Sequence, residues 1–157
     1  MIVLAPKTRS YRIFADYFQF YLWDHEAQPA DPIDYEDIDN RNRLKVDEHI
    51  VVVLPERNTT VPVSLEVFEI QPDLDEKAFD HVAEASLELP SGRLEVHECC
   101  GGSIDVLTLG VGTYRVRVCF TGLNTLSEDG LDGEDHYAIM LWPAPMAPLA
   151  VIKQFEP

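Results

Sequence analysis

Residues Gly112–Pro145 read GTYRVRVCFTGL, then NTLSEDGLDGED, then HYAIMLWPAP. The first part alternates: Tyr114, Val116, Val118 and Phe120 fall on one side of an extended chain, and Thr113, Arg115 and Arg117 on the other. Successive side chains of a strand point to opposite faces, so this pattern predicts a strand with the first set inward and the second outward. The third part is apolar enough to pair with it. Between them stand Glu128, Asp129, Asp132, Glu134 and Asp135 with no base among them. A β core and an acidic loop are therefore written side by side.

The same punctuation continues upstream. RLEVHEC ends at Gly101-Gly102, SIDVLTL ends at Gly110-Val111-Gly112, and both read as short strands closed by glycine turns. HIVVVLP, from His49 to Pro55, has the continuous apolar run of a strand buried on both faces. In VPVSLEVFEI, Val61, Val63, Leu65 and Val67 point inward and Ser64 and Glu66 outward. Residues 73–89 carry two periods at once. A helical turn near 73–78 followed by a strand from about 79 fits best, because Pro90-Ser91-Gly92 then closes a hairpin. In YFQFYLWD, Phe18, Phe20 and Leu22 form a core face, and Tyr17, Gln19, Tyr21 and Trp23 an amphipathic one that either packs under a neighbouring loop, the favoured fate, or lines a partner surface. After WPAPMAP, the tail LAVIKQF predicts an edge strand. Short strands at this spacing predict an all-β fold: a single-domain antiparallel β-sandwich over residues 1–157, with meander connections and at most short helical turns. A chain of 157 residues can bury a core of that kind without covalent staples.

Charge narrows the function classes. Twenty-eight acids against twelve bases give a formal net charge of −16. Such an excess repels nucleic acid and anionic membranes and attracts basic proteins. The loop EAQPADPIDYEDIDN adds Asp31, Asp34, Glu36, Asp37 and Asp39 to the acids of 128–135. Its prolines and Asp/Asn density predict irregular surface chain with at most one helical turn. The cysteines Cys99, Cys100 and Cys119 are odd in number, with an adjacent pair, which is not a disulfide framework and points to a reducing compartment. MIVLAPKTRSYR lacks the pattern of a secretory leader, and no apolar run is long enough for a membrane helix. A cytoplasmic protein is expected.

No motif fixes a chemistry. SEDGLDGED suggests calcium, since hard cations take several carboxylate oxygens, but its spacing departs from the EF-hand template. A calcium- or ligand-binding sandwich module is the alternative it leaves open. His97-Glu98-Cys99-Cys100 has no second ligand pair, and strand alternation would send Cys99 and Cys100 to opposite faces. There is no nucleophile elbow and no complete phosphate-cradling glycine loop. A non-enzymatic protein without cofactors is the expectation. The acids suggest something else. Same-face residues of a strand lie about 6.6–6.8 Å apart, twice the rise per residue. Phosphates along one DNA strand advance about 3.4 Å per nucleotide. Carboxylates on a strand face, such as Asp80, Glu84 and Glu88, can therefore imitate every second phosphate.

YFQFYLWD, with its Tyr-x-Gln-Phe start, together with SGRLEVHE, GTYRVRV and HYAIMLWP, resembles the competence protein J family of bacterial inhibitors of a DNA-entry nuclease. The likeness runs across most of the chain, at strand and turn positions. It implies a small acidic protein that binds a nuclease and blocks it. The expected partner is thus a basic protein, a nuclease or toxin, with no direct contact to nucleic acid or membrane. Contact residues are expected in the loops, at Asp34, Glu36, Asp37, Asp129, Asp132, Glu134 and Asp135, with Tyr17, Tyr21 and Trp23 as aromatic anchors.

Overall fold

The computed structural model describes residues 7–157; the N-terminal leader reading falls partly outside them. Among the described residues the chain runs β1 (Lys7–Phe14), β2 (Phe20–Asp24), α1 (Asp37–Asn42), β3 (Leu44–Asp47), β4 (Ile50–Val53), β5 (Thr60–Val67), β6 (His81–Leu89), β7 (Arg93–Glu98), β8 (Ser103–Thr108), β9 (Gly112–Thr121), β10 (His136–Pro143) and β11 (Ala150–Lys153). Short 3-10 turns lie at Asp16–Phe18 and Glu76–Ala78. One sheet has the order β1-β5-β10-β9-β6-β11 and the other β3-β4-β2-β7-β8. The fold is all-β, and the tail strand β11 sits at a sheet edge beside β6.

One core joins the two sheets. Tyr114, Val116, Val118 and Phe120 of β9 face it as their alternation demands, flanked by Ala83, Ala85 and Leu87 of β6 and by Tyr137, Ile139 and Leu141 of β10. The opposite sheet supplies Phe20, Leu22, Val51, Val53, Leu94 and Val96. A second, smaller cluster lies on the outer side of that sheet. There Tyr21, Ile50, Val52 and Leu54 are buried, with Trp23, Tyr35 and Cys99 packed against them. That is why β4 is apolar at every position: it has a covered face on each side.

Four expectations are corrected. The sandwich is not purely antiparallel, since β10 pairs with β5 in parallel. Nor is it a simple meander, because the chain passes between sheets at β1–β2, β4–β5, β6–β7 and β8–β9. Periodicity encodes which face of a strand is buried, not which neighbour it takes or in which direction. Phe18 is not core. It lies in the turn between β1 and β2 and is 48% exposed. The fourth correction concerns Arg115 and Arg117, which point away from the core but not into solvent. Both are buried on the outer face of the first sheet. Arg115 donates to Glu84, Ser86 and the carbonyls of Ala147 and Pro148; Arg117 donates to Glu84 and the Pro72 carbonyl and lies 4.8 Å over the Trp142 ring. The chain segments that flank β10 and precede β6 cover them.

Candidate functional site

The strand ends show where the second acidic loop lies. β9 ends opposite the start of β10, with Thr121 facing His136, and β6 begins opposite Phe120. The 122–135 loop therefore leaves and re-enters the first sheet at one end of the sandwich. Two pairs of consecutive residues tie this loop to α1. Glu56 pairs with Arg43, the residue that caps the C-terminus of α1, while its neighbour Arg57 donates to the Leu131 carbonyl at 3.0 Å and to Asp135 at 2.6 Å. Asp80 accepts from the Leu123 N–H at 3.0 Å, while its neighbour His81 lies 2.8 Å from the Asn42 carbonyl through Nε2. Through these shared neighbours the C-terminal end of α1 and the 122–135 loop are held at the same end of the sandwich.

Each loop is ordered by its own hydrogen bonds. Glu36 and Asp39 cap α1 reciprocally, and Asp39 also accepts from Lys45 Nζ at 2.9 Å. In the second loop, Asp129 accepts from Ser127 Oγ at 2.6 Å and from the Leu131 N–H at 3.0 Å. Those bonds, the Ser127 hydroxyl first, hold its carboxyl below the usual aspartate range. The Ser127 N–H donates to the Asp132 carbonyl, and the Glu134 N–H donates to Thr125 Oγ1. Asp34, Glu36, Asp37, Asp129, Asp132 and Glu134 are all exposed.

Asp135 is not with them. It is 1% exposed, paired with Arg57 and accepting from the Tyr137 hydroxyl. Its place at the mouth of β10 carries it inside, so it braces the loop and has no outward face. Two of the expected anchors also move. Tyr21 is 2% exposed beneath the 25–36 segment, with its hydroxyl among Gln19, Asp31 and Cys99. Trp23 is half-buried, stacked on Tyr21 and donating from Nε1 to Glu95 at 2.6 Å. Alternation placed these two on one face, and for Tyr21 the favoured fate of that face, packing under a neighbouring loop, is the one found. Tyr17, by contrast, is 68% exposed.

Sequence reading missed Phe18, which joins Tyr17 at the same end and lines a shallow depression with Asn40, Arg43, Leu54, Pro55 and Glu56. Tyr17 and Phe18 both have left-handed backbone angles, with φ of 55° and 58°. Two consecutive aromatic residues in that region are unusual, because Cβ crowds the following carbonyl. Asp16 Oδ1 holds the Tyr17 N–H, and the Phe18 N–H returns to the Ala15 carbonyl. The strain presents two rings to solvent beside the acidic loops.

Glu84 also leaves the expected strand-face ladder. It is buried between Arg115 and Arg117, so Asp80, Glu84 and Glu88 do not form an outward row of charges. Among the described residues no group of three or more His, Cys, Asp or Glu side chains is placed to hold a metal ion. Nor, among them, is any helix long and apolar enough to cross a membrane.

No family model matches the chain, and no curated protein gives a significant match. Solved structures do share its fold. The crystal structure of ComJ, inhibitor of the DNA degrading activity of NucA, from Bacillus subtilis superposes with a TM-score of 0.70, covering 90% of this chain and 100% of that one at 12% identity. A structure described as Crocagin biosynthetic gene J superposes with a TM-score of 0.59, again covering 90% of this chain and 100% of that one, at 20% identity. At these identities the likeness is one of fold, and at that level it bears out the resemblance to the competence protein J family.

Proposed function

We propose that this protein is a non-catalytic inhibitor that binds a basic protein partner, a nuclease, through the acidic end of the sandwich. The observation that supports this reading is that the C-terminal end of α1 and the 122–135 loop are held to one end of the sandwich through Glu56–Arg57 and Asp80–His81, with Phe18 beside α1. Exposed carboxylates of the two loops would occupy a groove shaped for phosphates and pair with the Lys and Arg that line it. The two rings supply apolar contact of the kind that dominates interface energy. Phosphate imitation falls to the loops, since Glu84 is already neutralised by two arginines. The fold shared with ComJ, a protein described as an inhibitor of a DNA-degrading activity, supports the nuclease as partner. The calcium-binding alternative has no comparable support.

The test is affinity capture from extract of the source cells at low salt, followed by elution in a salt gradient. A basic nuclease should be recovered, its DNA degradation should be blocked by the purified protein, and its association rate should fall steeply with ionic strength. The variant D34N/E36Q/D37N/D129N/D132N/E134Q should fold normally and lose capture. Undiminished capture by that variant, or an association rate indifferent to salt, would move the site elsewhere.

A further inference from the structure

Cys99 and Cys100 follow β7 in a turn, not in a strand, so alternation does not separate them. Their sulfurs are 3.7 Å apart, with the Cys100 thiol donating to Cys99 Sγ. The Tyr21 hydroxyl donates to the same sulfur at 3.2 Å. Two donors thus converge on Cys99, which is half-buried, while Cys100 is exposed. The hydrogen bond to Cys99 foremost, with further help from the Asp16 carboxylate, pushes the Cys100 thiol up to about 11. Cys119 is buried and far along the chain in β9, and burial pushes its thiol up to about 12.

We propose that Cys99 and Cys100 are a redox-active vicinal dithiol, a modification site at which a peroxide converts the two thiols into one intramolecular disulfide. The Cys99 thiolate attacks one oxygen of hydrogen peroxide, the O–O bond breaks, and hydroxide leaves as Cys99 becomes a sulfenic acid. Cys100 sulfur then attacks Cys99 sulfur, the S–O bond breaks and water leaves. Two thiols and one peroxide give one disulfide and two waters. The sulfurs must close to about 2.05 Å. Consecutive Cα atoms lie about 3.8 Å apart, below the usual disulfide range, so the bond formed is strained and readily reduced. Strained, exposed disulfides are the labile and regulatory ones. Gly101 and Gly102 follow at once and can absorb the change in the turn.

The site also touches the candidate surface. Asp16, whose carboxylate acts on the Cys100 thiol, holds the Tyr17 N–H as well. An effect of oxidation on partner capture rests on the proposed function, but the modification itself is tested without any partner. The folded protein is treated with a small excess of hydrogen peroxide, alkylated with iodoacetamide while unfolding, and digested with trypsin. Cleavage after Arg93 and Arg115 releases both cysteines in one peptide, Leu94–Arg115, separate from Cys119. That peptide should appear unalkylated and about 2 Da lighter than the dithiol, and dithiothreitol should restore alkylation of both sulfurs. Cys100→Ser, at an exposed position, should leave a Cys99 sulfenic acid that dimedone captures. Disulfide-linked dimers, oxidation confined to Cys100, full alkylation of both thiols after peroxide, or no dimedone adduct in C100S would each overturn the proposal.

Discussion

Asp132 and Asp135 stand three residues apart in one loop and do different work. Asp132 is exposed, whereas Asp135 is buried against Arg57 and Tyr137. Removing one partner of a buried ion pair leaves an uncompensated charge. Asp135→Asn is therefore expected to lower unfolding free energy by about 3 kcal/mol, while Asp132→Asn should leave it nearly unchanged; urea titration distinguishes them. Glu84→Gln should behave like the former, since it strands both Arg115 and Arg117 under cover. The opposite sign is expected at Tyr17. Glycine relieves its left-handed backbone and surrenders little burial, so Tyr17→Gly should hold stability level or raise it by up to about 1 kcal/mol. Binding to the captured partner should weaken in the same variant. A marked loss of stability would show that the ring braces the fold and does not serve contact. None of this was legible from residue type. The sequence pattern marks Asp129, Asp132, Glu134 and Asp135 as equals, and only the start of β10 decides that the last of them turns inward.

At the level of elements, strands were legible where one face meets the core and the other does not. β9 and β5 followed their alternation, and β4 its unbroken apolar run. β1 was missed because only Tyr11 and Ile13 of KTRSYRIF turn to the core, too short an alternation to stand out in a strand otherwise exposed. The covering of Arg115 and Arg117 by distant segments was equally hidden, because burial by a loop leaves no period in the strand beneath. His81 shows what those segments hold together. Its Nε2–H donates to the Asn42 carbonyl, and its Nδ1 accepts from the Phe155 N–H, so it links β6, α1 and the tail after β11. Burial pushes the imidazole below its usual value, with the Asn42 carbonyl opposing and Arg43 assisting. The unfolded chain then binds a proton more readily than the folded one, so this contribution is complete above about pH 6.5 and is lost as pH falls towards the folded value. His81→Gln should flatten the decline in melting temperature between about pH 7 and 5. NMR titration of the wild-type ring should place its midpoint below the usual histidine value. A second decline belongs below the ordinary carboxylate range. There Asp24, whose burial is outweighed by hydrogen bonds from Ala27, Ser91 and Glu26, must finally take up a proton.

For the whole molecule, the charge of −16 has two opposite effects. Self-repulsion is relieved by salt, so the melting temperature of the free protein should rise between low and moderate ionic strength. Association with a basic partner should slow over the same range. If both quantities moved together, the acids would act only on solubility and fold. The position of β10 has a consequence of another kind. It is a late strand of the chain, yet it lies between β5 and β9, in parallel with the former and antiparallel to the latter. During synthesis, β1 and β5 can pair early, but the edge that β5 offers stays open until residues 136–143 emerge. The six-stranded sheet therefore cannot close while the nascent chain is still growing through its first hundred or so residues, and long-range pairings of this kind form slowly. A ribosome-bound chain halted before β10 should be protease-sensitive throughout its first sheet, and the 122–135 loop should be fixed only once β10 has emerged.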